Sequence, residues 1–114
     1  MLPEITVTEL SEKLKSDEEF ILLDIREPHE LNLAKVSDRR MEITPMSRLA
    51  REGPEALSDA AKSQDATIYV MCHSGNRSAR VTDWLVQQGW KNVFNVRGGI
   101  DAYAREIDTS VGFY

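Results

Sequence analysis

Cys72 is the only cysteine of this 114-residue chain, and it heads a short polar segment, Cys72-His73-Ser74-Gly75-Asn76-Arg77-Ser78. A thiolate, not a thiol, is the nucleophilic form of cysteine, and its fraction at neutral pH depends on how far its charge is stabilised against an unperturbed pKa of about 8.5. A loop of small residues folded round the sulfur at a helix N-terminus supplies that stabilisation from backbone amides. The same amides can cradle an anion brought to the sulfur. Gly75 permits close approach and unusual dihedrals, Ser74 and Asn76 are short and tolerate turns, and Arg77 adds a fixed positive charge. From Cys72 to Arg80 the charged residues are Arg77 and Arg80, giving +2 with no acid, whereas the whole chain carries −5. The segment therefore reads as a local anion site against the global field. A lone cysteine is more often a buried small hydrophobe than a nucleophile; its position argues otherwise here. His73 adjoins Cys72 and has the chemistry of a base, but neighbours in a loop point apart, so a place at the substrate rim is expected for it.

The elements that must position this segment follow from apolar patterning. Short apolar runs rich in Ile, Val, Phe and Tyr at Ile5 to Val7, Phe20 to Ile25, Met41 to Ile43, Thr67 to Met71 and Asn92 to Val96 predict five strands. Phe20 to Leu23 and Ile68 to Met71 show no polar alternation, the pattern of central strands covered on both faces. Between the runs lie helical stripes. Val7, Leu10 and Leu14 follow Thr8, whose hydroxyl is the expected cap. Thr44-Pro45 and Gly53-Pro54 predict two helix starts, ahead of Met46, Leu49, Ala50 and of Leu57, Ala60, Ala61. Val81, Trp84 and Leu85 form a further stripe closed by Gly89, and Ile100, Tyr103, Ala104 and Ile107 form the last. Strands alternating with helices predict an α/β fold with a mostly parallel five-stranded sheet and helices on both faces. Ligands of such sheets bind beyond the carboxyl ends of the strands. Cys72 leaves a central strand at that end and enters the helix that contains Trp84.

Composition excludes other classes. One cysteine allows no intrachain disulfide, and with only His29 and His73 beside it no Cys-rich zinc site can be assembled. Nineteen acids against fourteen bases leave no basic footprint for nucleic acid. The 41% apolar content suffices for one core, and no apolar run approaches the roughly 18 to 20 residues that span a bilayer. Met1 to Glu12 lacks the pattern of a signal peptide. The expectation is one domain over residues 1–114, without a membrane partner, cofactor or metal, working in the reducing cytoplasm.

The Cys72 to Ser78 segment resembles the active-site loop of the rhodanese-like sulfurtransferase family in its single-domain form. Leu22-Leu-Asp-Ile-Arg-Glu-Pro-His-Glu-Leu resembles the N-terminal signature of that family, and Val96-Arg-Gly-Gly-Ile-Asp-Ala-Tyr its C-terminal one. Three ordered motifs cover nearly the whole chain. The resemblance departs where His73 replaces a common Arg, and where Ala34-Lys-Val-Ser-Asp-Arg-Arg lacks the usual turn-forming Gly and Pro.

The resemblance implies a three-layer rhodanese-like fold and a catalytic Cys72. That residue takes a sulfane sulfur from a small anionic donor such as thiosulfate, holds it as a persulfide, and passes it to cyanide, a thiol or a sulfur-carrier protein. His73, Ser74, Gly75, Asn76, Arg77 and Ser78 become the substrate-binding cradle, with Arg77 attracting the donor. Asp24 and Arg26 support the loop, an ordinary surface ion pair being the alternative for Arg26. Gly98 and Gly99 set a tight turn. The final segment, Gly98 to Tyr114, resembles the end of rhodanese domains fused to adenylyltransferases that serve sulfur-carrier proteins, and Phe113 and Tyr114 either dock on a partner or, as favoured, pack back on the domain. Two rivals share the fold. A phosphatase of the related kind needs Cys-x5-Arg, whereas this chain has Cys-x4-Arg and Ser78 at the phosphatase position. An interaction module that had lost the chemistry would be expected to lack the nucleophile, which is retained.

Overall fold

The structure, a computed structural model, describes residues 2–114. Its centre is a five-stranded sheet in the order β1-β5-β4-β2-β3, formed by β1 (Glu4–Ile5), β2 (Ile21–Asp24), β3 (Met41–Ile43), β4 (Thr67–Met71) and β5 (Asn92–Val96). Every pairing is parallel. The two runs without polar alternation form β2 and β4, which pair with each other in register from Ile21 opposite Ile68 to Asp24 opposite Met71. Both are covered on each face, and Leu22, Leu23, Ile68 and Val70 are fully buried.

Side chains alternate across each strand, so the sheet divides the core in two. Leu23, Val70, Cys72 and Val93 face α3 (Met46–Glu52), α4 (Asp59–Lys62) and α5 (Asn76–Gln87), meeting Leu49, Ala61, Val81 and Leu85. Leu22, Tyr69, Met71 and Val96 face α1 (Val7–Lys15) and α6 (Gly99–Glu106), meeting Leu10, Ile100 and Tyr103. Full burial of each such side chain stabilises the fold by about 1.5–3 kcal/mol. Trp90 closes the first layer and donates its indole N–H to the Ala61 carbonyl at 2.8 Å. No helix among the described residues is long and apolar enough to cross a membrane.

Several boundaries differ from the sequence expectation. The cap of α1 is Thr6, not Thr8: the Thr6 hydroxyl accepts from the Glu9 amide, and the Glu9 carboxylate accepts from the Thr6 amide. This reciprocal pair satisfies two free donors at once, which outweighs a single hydroxyl within the helix. Thr44 does not cap α3; Pro45 holds that position without a side-chain bond, and the Thr44 amide continues the sheet by donating to the Asp24 carbonyl. Gly53-Pro54 opens a short 3-10 turn, Gly53–Ala56, and α4 begins only after Ser58, whose hydroxyl accepts from Ala61 N. One further short helix, α2 (Pro28–Leu31), sits inside the segment that resembles the N-terminal signature.

Candidate active site

The chain leaves β4 at Met71 and enters α5 at Asn76, so Cys72 to Gly75 must turn within four residues. Gly75 makes this possible with φ +97°, and a Cβ there would press to 3.0 Å from Gly98 N. The turn wraps the sulfur. Cys72 is buried, and its Sγ accepts hydrogen bonds from Gly75 N at 3.2 Å and Ser78 N at 3.4 Å. The Ser78 hydroxyl lies 3.2 Å from the same sulfur. The first amides of α5 have no partner within the helix, so the sulfur takes the position at which helix and loop dipoles converge.

The loop carbonyls are secured from α6. Ile100 N donates to the Cys72 carbonyl and Asp101 N to the His73 carbonyl, each at 2.9 Å. These contacts require that α6 begin hard against the loop, and Gly99 is what permits it. A Cβ on Gly99 would stand 2.4 Å from the Cys72 carbonyl oxygen and 2.5 Å from that of His73. Gly98 and Gly99 both have positive φ, at +76° and +59°, so the turn entering α6 is one that side chains of L-residues resist.

A cluster of ions adjoins the loop. Arg26 is fully buried, with its Nε and Nη2 on the Asp24 carboxylate and further bonds from Nη2 to the Ala34 carbonyl and from Nη1 to the Glu30 carbonyl. It is thus neither free nor a surface pair, and it pins the segment that carries Glu30. Arg77 reaches that Glu30 with both terminal nitrogens at 2.8 Å. Glu30 also accepts from Glu27 N at 2.9 Å and from the Tyr114 hydroxyl at 3.0 Å. Arg77 holds the Glu30 carboxyl down to about 2, assisted by the Glu27 amide and Tyr114 and opposed by burial. Arg77, expected as a fixed positive charge that attracts the donor, is therefore a paired one with a side chain 34% exposed.

Tyr114 joins both pairs, because its hydroxyl accepts from Arg26 Nη1 at 3.2 Å while donating to Glu30. Its ring lies on the His73 imidazole at 3.8 Å between centroids and 12° between planes. Tyr114 thus packs back on the loop, and Phe113 lies under the Arg105 guanidinium. Ser74 and Asn76 are exposed at the mouth. A groove of about 340 Å³ between α3 and α5, lined by Met46, Leu49, Trp84 and Arg80 among others, does not include Cys72.

Three residues of this arrangement escape sequence reasoning. Glu30 lies inside the segment that resembles the N-terminal signature but has no visible link to Arg77. Asn95, whose side-chain oxygen accepts from the buried Ser78 hydroxyl at 2.6 Å, reads as an ordinary strand residue. Tyr114 announces only an aromatic. The capping pair Thr6 and Glu9, by contrast, carries a readable signal, a hydroxyl residue followed three positions later by Glu.

A parallel α/β sheet with a cysteine nested at a strand end can be compared with known proteins. The family model described as Rhodanese-like domain matches residues 6–106. The chain belongs to the rhodanese-like family. A sulfurtransferase of Allochromatium vinosum is 38% identical over 105 residues, covering 92% of this chain and 91% of that protein. Rhodanese-like/PpiC domain-containing protein 12, chloroplastic, of Arabidopsis thaliana is 33% identical over 114 residues; the match takes in 97% of this chain and 37% of that longer protein. The crystal structure of a rhodanese-related protein from Thermoplasma volcanium superposes with a TM-score of 0.73 at 32% identity, covering 92% of this chain and 93% of that one. The fold expectation of a rhodanese-like α/β domain holds. The family and its sulfurtransferase members support sulfur transfer as the general reaction.

Proposed function

We propose that this rhodanese-like chain moves a sulfane sulfur from a small anionic donor, such as thiosulfate, to a nucleophilic acceptor through a persulfide on Cys72. The observation that carries this reading is the position of Sγ, held by the amides of Gly75 and Ser78 where β4 runs into α5. Thiolate Cys72 attacks the outer sulfur of thiosulfate; the new S–S bond forms as the donor S–S bond breaks, and sulfite leaves with the bonding pair. The negative charge then resides on the outer sulfur of the persulfide, within reach of the loop amides. Cyanide or an acceptor thiolate, whether of a small thiol or of a sulfur-carrier protein, attacks that outer sulfur; its bond to the sulfur forms as the Cys72 S–S bond breaks, and thiolate Cys72 leaves with the bonding pair. The two half-reactions make a ping-pong sequence.

The ion cluster refines the expected roles. Because Glu30 compensates Arg77, the attraction for a dianion comes chiefly from the loop amides and the α5 N-terminus, with Arg77 shaping the rim. His73 forms part of the rim wall with Tyr114. Ser74 and Asn76 border the mouth, and Asp24 and Arg26 support the loop through the segment of Glu30. With no second cysteine in the chain, the persulfide is discharged to an outside acceptor, and a reducing compartment keeps Cys72 available.

Intact mass after incubation with thiosulfate tests the reading. The expected result is one added sulfur that cyanide removes and that Cys72→Ala lacks. Failure of the folded protein to take up sulfur from thiosulfate or from any persulfide donor overturns it.

A further inference from the structure

We infer that Asn95, on β5, is a positioning residue for Cys72: its carboxamide oxygen accepts the hydrogen bond that the Ser78 hydroxyl donates, and so turns the lone pairs of that hydroxyl, and not its hydrogen, toward the sulfur. Ser78 is fully buried and Asn95 nearly so. Asn95 Nδ2 lies 3.3 Å from the Gly75 carbonyl, and the opposite orientation of the amide would set two oxygens against each other there. The amide orientation is thereby fixed, and Oδ1 faces Ser78 Oγ at 2.6 Å. A hydroxyl has one proton. Spent on Oδ1, it is not available to Sγ 3.2 Å away, and the hydroxyl oxygen faces the sulfur as an acceptor.

This arrangement discriminates among the forms of Cys72, and its consequence for catalysis rests on the proposal that Cys72 carries sulfur. A thiol can donate to the Ser78 oxygen. A thiolate cannot, and is held by the Gly75 and Ser78 amides against an opposing lone pair. In a persulfide the charge moves one atom outward and the inner sulfur becomes neutral, so the opposition falls. Asn95 thus raises the free thiolate relative to the loaded form and keeps it nucleophilic. The other charged or titratable groups about the loop are His73, Arg77 with Glu30, Asp101 at the start of α6, the Asp24 and Arg26 pair, and Tyr114. The side chains of Ser78 and Asn95 bond instead to Cys72 Sγ, to each other and to the Gly75 carbonyl.

The pH profile of Cys72 alkylation by iodoacetamide reads the effect directly, since thiolate Sγ displaces iodide and no sulfur donor takes part. Ser78→Ala is expected not to raise the midpoint of the profile, because no hydrogen bond to the thiolate is lost. Asn95→Ala frees the hydroxyl to donate to the thiolate and is expected to lower the midpoint by about one pH unit, the size of a hydrogen bond to a charged group. The double variant Ser78→Ala/Asn95→Ala is expected to return to the Ser78→Ala profile. A midpoint raised by a unit in Ser78→Ala, or an unchanged one in Asn95→Ala, overturns the assignment. Each single variant decides by its own sign, so loss of folding in one leaves the other to decide. Failure of sulfur uptake from thiosulfate would remove the sulfur-carrier reading while leaving this profile to stand or fall by itself.

Discussion

On one side of Cys72 the polar groups are ions, Asp24 with Arg26 and Glu30 with Arg77, joined by the Tyr114 hydroxyl. On the other side they are neutral dipoles: the amides of Gly75 and Ser78, the Ser78 hydroxyl and the Asn95 carboxamide. The ionic side holds the segment after β2 against the loop, and its carboxylates match its guanidiniums in number. The neutral side holds the sulfur. Separating the two lets a negative sulfur form without drawing a nearby guanidinium out of its pair, while charge-assisted bonds tie the segment of Glu30 to the loop through Arg77. The difference is open to measurement because ionic and neutral constructions respond differently to truncation and acid.

The largest expected effect comes from breaking the buried pair. Arg26→Met leaves the Asp24 charge without its guanidinium in the core and removes the bond to the Ala34 carbonyl, while the Glu30 carbonyl keeps the Leu33 amide. A loss of about 3–5 kcal/mol is expected in urea unfolding. Replacing both partners, as Asp24→Leu with Arg26→Met, should recover much of it, since the main cost lies in the stranded charge. If Arg26→Met proves no more costly than Ser78→Ala, the distinction between the two sides loses its energetic basis.

Acid separates them next. The Glu30 carboxyl is held down to about 2 by its pairing with Arg77, well below the ~4.3 of an unfolded chain. Its contribution is therefore fully present above the unfolded value and disappears as pH falls from about 4.5 toward 2. Because Arg77 remains partly exposed, the amount is expected to be about 2 kcal/mol. Unfolding free energies measured across that interval should show the decline in the native protein, and Glu30→Gln should flatten it. An equal decline in Glu30→Gln would assign the acid sensitivity elsewhere.

The same division explains what the sequence reveals. Cys72, Gly75, the central strands β2 and β4, and the glycine pair before α6 are legible because local rules govern them: a strand end, a left-handed turn, an unbroken apolar run. Met41–Ile43, Thr67–Met71 and Asn92–Val96 appear at their observed bounds for that reason. Glu30 meets Arg77 across 47 positions, Asn95 meets Ser78 across 17, and Tyr114 meets Arg26 across 88. No periodicity links such residues. Only closure of the sheet brings the ends of β2, β4 and β5 together, so the nucleophile can be read in advance and the groups that compensate the loop charge and orient its hydroxyl cannot.

The smallest effect is the sharpest test of the boundary between the two sides, because Tyr114 touches the ions through its oxygen and the loop through its ring. Tyr114→Phe removes the bond accepted from Arg26 and the one donated to Glu30, but Arg26 Nη1 keeps the Glu30 carbonyl and Glu30 keeps both nitrogens of Arg77. The loss in urea unfolding is expected to be about 1 kcal/mol, the usual size for a hydrogen bond whose partners retain other contacts. The phenyl ring can still lie on His73, so the pH profile of Cys72 alkylation should not move. A displaced profile in Tyr114→Phe would mean that the ionic side reaches the sulfur through the tyrosine oxygen, and the neutral nest would no longer act alone.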